Sequence, residues 1–483
     1  MNKFYITTAI PYVNAKPHIG HALEFIQSDV IARYHRRIGD DVVLLCGGDE
    51  NALKNVQAAE KAKLPIREFI DENTKSFYEL SKKLNVNFDV WQKGSDPKHH
   101  SSSQKLWELC AKNNDIYKKT YTGLYCVGCE LFYEKEELNE QRECFEHPGK
   151  KLEEVSEENY FFKLSKYQNK LIEIIQSDTL KITPEIRKNE ILSFLKGGLK
   201  DISISRSNER AKNWGVPVPN DPNQRMYVWF DALNIYQSGI GFGSDDKNYN
   251  KWWPADLHVI GKGISRFHAI YWPAFLLSAK LKLPKEIFVH EYITVNGQKM
   301  SKTIGNVIDP IPLIEKYGTD ALRYYLLAKI SPFSDGDFTE EKLKETYNSD
   351  LANGLGNLVA RVAKLCEEIT ILDNPTVNKL ITDLPTTSGK IKTLYSQAIE
   401  NYSFDEALRL VWEDIRVTDQ YINELQPWKL EKEKLLKVMQ VAVDSIRYLN
   451  IKLKPFLPET AEKIENQFKG PKITSQKPLF PRI

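Results

Sequence analysis

A chain of 483 residues, 41% hydrophobic and 27% charged, is too long for one core and reads as a soluble globular protein of two to four domains. Lys+Arg 67 against Asp+Glu 65 leaves a net charge of +2, which excludes a DNA-coating protein and leaves nucleic-acid contacts to local basic patches. No apolar run approaches the roughly 18 residues of a membrane span. The N-terminal stretch, broken by Thr7, Thr8 and Pro11, reads as a strand rather than a signal peptide, so a cytoplasmic protein with no membrane partner is expected.

Residues 4–9 form a β-rich run ending at Pro11, and 42–45 form a second, closed by Cys46-Gly47-Gly48-Asp49. Between them Leu23, Ile26, Val30 and Tyr34 line one face of a helix predicted over 19–39, with Gly39 as its stop. Strand, turn, helix, strand opens a βαβ unit of a parallel sheet, whose ligands gather at the carboxyl ends of the strands. The chemistry is therefore expected at 11–21 and 48–51.

Residues 1–116 read as the first half of a Rossmann-like α/β domain. From 117 to 224 a Cys-bearing, Glu/Lys-rich stretch of poor periodicity reads as a connective insertion. The sheet pattern returns at 226–231, 257–260 and 288–295, which predicts a second half of the split domain over 225–298. Residues 299–350 read as a loop and connecting region. Residues 351–483 read as a separate all-α bundle, with amphipathic helices such as 351–366 and Phe404–Leu425 and short polar loops such as 373–378. The tail, 470–483, is expected to pack as an extended strap or to be mobile.

Three constellations carry chemistry. His18-Ile19-Gly20-His21 falls at the junction of the first strand and first helix, where two imidazoles can donate to phosphate oxygens and the helix dipole favours negative charge; Gly20 would let a flat base approach. The same histidines would also suit a capping role. Lys299-Met300-Ser301-Lys302-Thr303 follows Gly297-Gln298 in a loop whose lysines can neutralise phosphate charge. Cys126-Val127-Gly128-Cys129 and Cys144-Phe145-Glu146-His147 make C-x2-C…C-x2-H, four ligands that close a tetrahedral zinc site with no position left for water; the zinc is expected to be structural. Cys46, Cys110 and Cys366 lie outside this cluster and read as small buried apolar residues.

Taken together, the first two strings resemble the HIGH and KMSKS motifs of the class I aminoacyl-tRNA synthetases. Within that class the chain is most similar to the methionyl-tRNA synthetase family, through residues 9–12, 227–232, 267–274 and 295–302, in the family's order. The resemblance implies ATP-dependent activation of methionine to an adenylate, then transfer to the terminal ribose of tRNA(Met), with ATP entering as a substrate with Mg2+. Both reacting partners belong to substrates, so no side-chain nucleophile is required, and none is evident.

By the same resemblance His18, Gly20, His21, Lys299, Ser301 and Lys302 would bind ATP, and the four basic side chains among them would act in catalysis. Ile10, Tyr12, Trp229, Ala232, Leu233, Tyr236, Ile264 and His268 would surround the methionine side chain, with Asp49 on its ammonium group. Aromatic edges and small apolar residues suit a polarizable thioether. Trp272 reads equally as packing behind that pocket. Asn357, Arg361 and Trp428 match the positions that read the CAU anticodon; without the resemblance they read as a solvated face and a core anchor. The cysteine cluster resembles the family's connective-peptide zinc knuckle. With no C-terminal β-barrel in this sequence, a monomer is expected.

Four places depart from the family's pattern. Asn51-Ala52 stands for His-Gly, Gly263 for Asp, Glu291 for Gly, and Thr303 for Ser. Gly263 removes a carboxylate near the methionine and ribose sites and Glu291 adds one on the adenosine side. The expectation is that negative charge has moved from one position to the other.

Overall fold

Neighbouring residues of the first strand face opposite ways: Tyr5 packs into one apolar cluster and Ile6 into another. The same alternation holds at Leu44 and Leu45, Val259 and Ile260, and Phe288 and Val289, as a sheet covered on both faces requires. The computed structural model describes residues 2–126, 131–133, 137–144, 149, 151–300, 305–372 and 393–483. Six strands make the central sheet: β1 (Lys3–Thr8), β2 (Asp41–Gly48), β3 (Val90–Lys93), β4 (Lys181–Thr183), β5 (Leu257–Gly261) and β6 (Glu286–His290). Their order is β3-β2-β1-β5-β6-β4 and every pairing is parallel. The order reverses between β1 and β5, so a ligand crevice is expected outside their carboxyl ends, near Ala9 and Gly261.

Helix α1 (Ile19–Arg37) buries Leu23, Ile26, Val30 and Tyr34 and ends in His35, Arg36 and Arg37, which suit the negative end of its dipole. The chain then turns at Gly39 with φ +94°, a left-handed conformation that glycine takes without strain. Inside the sheet's edge, Thr8 donates through Oγ1 to Glu24 at 2.7 Å, and the other Glu24 oxygen meets His290 Nε2 at 3.0 Å. These bonds tie α1 to the ends of β1 and β6.

Three sequence expectations change. Residues 226–231 do not return to the parallel sheet: Met226 ends a strand of a small antiparallel sheet and Val228–Ala232 is a helical turn. Strand propensity reports a fit to a half-buried pleated surface, and here the same aromatic side chains pack from a helix instead. The run over 288–295 is two strands, since the chain leaves the parallel sheet after His290 and Ile293–Val295 joins a three-stranded sheet. Residues 117–224 are not wholly outside the sheet, because Lys181–Thr183 pairs with Glu286–Phe288 as its edge strand. The rest of that stretch is dominated by a ten-pair antiparallel ladder between Ile116–Cys126 and Glu153–Phe162.

The helical half includes α2 (Thr319–Ala328), α3 (Asn357–Cys366), α4 (Phe404–Leu425) and α5 (Lys432–Leu453). It does not close a separate core. One apolar cluster runs from Ile6 and Phe288 of the sheet through Leu322 and Val359 to Leu449, and Phe288 stacks on Tyr402 at 4.4 Å. Arg323, with no exposed surface, bolts this junction: Nε donates to Phe456 O, Nη1 to Leu84 O, and Nη2 to Pro455 O and Asp29 Oδ2, all within 3.0 Å. The tail packs as a strap, with Ile473 and Phe480 buried and Arg482 donating to Asn353 Oδ1 at 2.6 Å. The loop read at 373–378 lies outside the described residues. Among those described, no helix is long and apolar enough to cross a membrane. Cys46, Cys110 and Cys366 are buried, as their reading required.

Candidate active site

His18 and His21 do cap α1, and the capping fixes what else they can do. His18 Nδ1 accepts from the Gly20 N–H and His21 Nδ1 accepts from the His18 N–H, both at 3.1 Å. Each neutral ring therefore carries its proton on Nε2, as a donor. The rings lie 3.9 Å apart at the positive end of the dipole, where such donors suit an anion. A Cβ on Gly20 would come within 2.9 Å of His18 Cε1 and 3.6 Å of Met300 Cε. Gly20 thus leaves room for the His18 imidazole.

The second motif begins on a hairpin. Ile293–Val295 pairs antiparallel with Gln298–Lys299 across Asn296-Gly297, whose φ values of +54° and +72° suit a tight primed turn. The Gly297 N–H donates to Asp337 Oδ1 at 2.7 Å and fixes the turn. Lys299 Nζ lies 4.7 Å from the centre of the Tyr292 ring. The Ile19 N–H donates to Ile308 O at 3.0 Å, so the chain beyond the motif is tied to the start of α1. Ser301, Lys302 and Thr303 lie outside the described residues.

The residues expected around a methionine side chain do meet. Trp229 stacks on Phe267 at 3.7 Å and meets Tyr12 edge-on at 6.0 Å and His268 at 6.2 Å. Ala232, Leu233 and Tyr236 are buried in the same cluster, and Ile10, Tyr12 and Ile264 pack against it. Asp49, buried, bridges Tyr12 through backbone, and its N–H donates to Pro11 O at 2.9 Å. His268 sits in a π-helical turn, Phe267–Tyr271, a local widening that often accompanies function. Its Nδ1 faces the Ile264 carbonyl at 3.0 Å, which only accepts, so Nδ1 holds the proton and Nε2 accepts from the Tyr236 hydroxyl at 2.8 Å. Burial pushes the His268 pKa down to about 4, and burial likewise pushes Tyr236 well up, so both are neutral near pH 7. Trp272 is fully buried beside Tyr236 at 6.5 Å, behind the pocket.

Sequence reasoning missed the polar network behind this pocket. Asp231 is fully desolvated and accepts from His99 Nε2 at 2.8 Å, Ser103 Oγ at 2.8 Å and Asn51 Nδ2 at 2.6 Å. Burial alone would raise its pKa, but His99 and these hydrogen bonds hold it below the usual carboxylate range. Asn51 also donates to Gly94 O at 2.7 Å. The signal in sequence was an aspartate inside an aromatic run, which has to find buried donors.

Glu291 is held inside the protein by ion pairs. It is 4% exposed, with one oxygen held by Arg187 Nε at 2.6 Å and the other by Lys262 Nζ at 2.9 Å. Lys262 also pairs with Asp335 at 2.6 Å. Both oxygens of this carboxylate are held by internal cations, one of them the neighbour of Gly263.

Cys126, which ends the strand Ile116–Cys126, and Cys144, which lies outside any strand, bring their sulfurs to 3.2 Å, both buried. That exceeds the ~2.05 Å of a disulfide, and two thiolates this close can share one ion at ~2.3 Å each. Cys129 and His147 lie outside the described residues, and among those described no group of three metal-binding side chains occurs. In the helical half Asn357 is exposed, and Arg361 donates to Asp419 at 3.1 Å and Asn423 at 2.6 Å. Its guanidinium lies 5.2 Å from the centre of the Trp428 ring. Trp428 is 53% exposed, which removes its reading as a core anchor.

A family profile described as "tRNA synthetases class I (M)" matches residues 4–363. With the reversed parallel sheet and His18–His21 at its carboxyl end, the chain belongs to the class I tRNA synthetases. It is 42% identical over 472 residues to a methionine–tRNA ligase of Thermotoga maritima, covering 96% of this chain and 74% of that one. It is 39% identical over 507 residues to a methionine–tRNA ligase of Brucella suis, covering 99% and 98%. A structure of Mycobacterium tuberculosis methionyl-tRNA synthetase in complex with methionyl-adenylate superposes with a TM-score of 0.90 at 35% identity, covering all of both chains. Within the class, the chain's family is that of the methionine–tRNA ligases.

Proposed function

We infer that this enzyme activates L-methionine with ATP and charges tRNA(Met) with it. The methionine carboxylate attacks the α-phosphorus of ATP, the bond to the β-phosphate oxygen breaks, and pyrophosphate leaves. A hydroxyl of the terminal ribose then attacks the adenylate carbonyl and AMP leaves. The protein's share is positioning and charge stabilisation. His18 and His21 offer Nε2–H donors, Lys299 and Lys302 neutralise phosphate charge with Ser301 beside them, and Asp49 takes the ammonium group. Mg2+ accompanies ATP.

The observation that supports this reading best is the neutral, hydrogen-bonded pair of His268 and Tyr236 beside Trp229, an uncharged aromatic setting in which a thioether would meet one fixed polar pair. An uncharged setting of this kind suits a thioether and disfavours charged side chains. Structural zinc held by Cys126, Cys129, Cys144 and His147 would pin the end of the long hairpin. Asn357, Arg361 and Trp428 present amide, guanidinium and indole groups for unstacked anticodon bases. The domain plan is a split catalytic unit (1–116 and 225–298) that takes its edge strand from Lys181–Thr183, a connective insertion in the rest of 117–224, a joining region (299–350) and a helical region (351–483) sharing the catalytic core, working as a cytoplasmic monomer with no DNA partner.

The test is ATP–pyrophosphate exchange with methionine, leucine, isoleucine, cysteine and homocysteine each offered alone. Methionine-selective exchange is expected. Equal exchange with leucine would overturn the pocket assignment, and none with any amino acid in folded protein would overturn the activity.

A further inference from the structure

The helix Pro97–Lys112 turns one stripe inward, His99, Ser102, Ser103, Leu106, Trp107 and Cys110, at the spacing of a single helical face. The second half of the stripe is apolar, as a core face requires. The first turn is polar and no less buried: His99 and Ser103 have no exposed surface and Ser102 has 2%. Polar groups desolvated this completely have to find partners. Theirs lie on the segment 228–238, whose two short helical turns, Val228–Ala232 and Ile235–Ser238, carry Trp229 and Tyr236.

His99 reaches both turns. Its Nε2 meets Asp231 Oδ1 at 2.8 Å and its Nδ1 meets Ser238 Oγ at 2.7 Å. Asp231 lies two residues after Trp229, and Ser238 two residues after Tyr236. Residues two apart point to nearly opposite sides of a helical turn, so each turn is gripped from the side away from its aromatic ring. Between them Asn234 Nδ2 donates to Ser102 Oγ at 2.9 Å, and Gln237 Nε2 donates to Asn234 Oδ1 at 3.2 Å. Serine, histidine and aspartate meet here without making a nucleophile, because Ser103 Oγ donates to Asp231 at 2.8 Å and is sealed from solvent. Apolar packing tolerates small slips, whereas a buried hydrogen-bond network fixes one arrangement. One imidazole bonded to both turns therefore fixes the separation of Trp229 and Tyr236.

We propose that His99 is a positioning residue for amino-acid selection: by joining the turns of Trp229 and Tyr236 it sets the spacing of the pocket's aromatic walls, and so the length of side chain the pocket accepts. This deepens the ligase reading and rests on it. Selection by length then depends on a histidine that touches no substrate.

The experiment compares ATP–pyrophosphate exchange with methionine and with ethionine, one methylene longer, on the full chain as wild type, Ser238→Ala, His99→Ala and the double variant. The readout is the ratio of the two kcat/KM values, which a loss of folded protein does not move, since both substrates meet the same active fraction. One methylene in a fitted pocket is worth about tenfold or more, so His99→Ala is expected to lower the preference for methionine about tenfold. Ser238→Ala removes a single hydroxyl and is expected to lower it about threefold, the weight of one neutral hydrogen bond. Adding Ser238→Ala to His99→Ala should change the ratio no further. A wild-type ratio in Ser238→Ala and in the folded fraction of His99→Ala, or independent effects that multiply in the double variant, would overturn the positioning role. Wild type without methionine-dependent exchange would instead overturn the ligase reading, and the proposal with it.

Discussion

Asn51 Nδ2 donates to Asp231 Oδ2 at 2.6 Å, and this bond joins the loop carrying Asp49 to the helical turn carrying Trp229. Two walls of the amino-acid pocket, far apart in sequence, are held in register by one amide. Replacing Asn51 with alanine leaves a buried carboxylate one donor short, at a cost of about 1–3 kcal/mol. The expected result for Asn51→Ala is a methionine KM raised up to about tenfold, with a lower urea midpoint. An unchanged KM would show that the bond is structural alone.

Gly20→Ala should separate stability from catalysis. Alanine is about 1 kcal/mol better than glycine inside a helix, yet its Cβ would lie 2.9 Å from His18 Cε1 and push that ring off its cap. The expectation is an unfolding midpoint near wild type and methionine-dependent exchange lowered by about two orders of magnitude. Wild-type exchange in this variant would remove His18 from the phosphate site.

The pH dependence follows from His268. Its folded pKa is about 4, below the unfolded value of ~6.5, so the unfolded chain binds the proton more readily. Its contribution to stability is full above about pH 6.5 and is lost as pH falls toward 4, by roughly 3 kcal/mol in total. Burial lowers His258 well below its usual value too, with the same sign. Urea unfolding at pH 7 and 4.5 checks this: His268→Gln should lose less stability over that interval than wild type, and an equal loss would refute the assignment.

The exposed Trp428 and the neighbouring Arg361 are expected to act on tRNA alone. Trp428→Ala should raise the tRNA KM about tenfold or more, the size of one lost base stack, and leave exchange untouched. A parallel fall in exchange would place Trp428 in the fold rather than in recognition.

Metal content tests the cysteine pair. Atomic emission on protein purified without chelator should give one zinc per chain, and Cys144→Ser should lose it along with order in the hairpin's tip. Zinc-free wild type with the same melting behaviour would leave the two thiols without a metal role.

Where local pattern and long-range packing agree, the sequence was readable: β1, α1 and β2 follow from periodicity, and His18–His21 lies at the end of β1 and start of α1 that this unit predicts. The strand Lys181–Thr183 was not, because three residues carry no periodic signal. Residues 226–231 misled because aromatic and β-branched side chains fit either a pleat or a crowded helical turn. The network of Asn51, His99, Ser103 and Asp231 gathers side chains from three separate stretches, and no one-dimensional spacing marks it. Gly20 was legible as a needed glycine, but its reason, room for a neighbouring imidazole, depends on a rotamer.

Arg323 has a further consequence. Four hydrogen bonds from its guanidinium reach backbone and carboxylate oxygens at residues 29, 84, 455 and 456, drawn from both halves of the molecule, and the side chain has no exposed surface. A bending motion at that junction would strand a guanidinium charge in hydrocarbon. On the reading proposed above, the distance between Trp428 and His21 then acts as a gauge of fixed length: a tRNA is accepted by spanning it, and discrimination at the far end reaches the chemistry through the ligand's own stiffness.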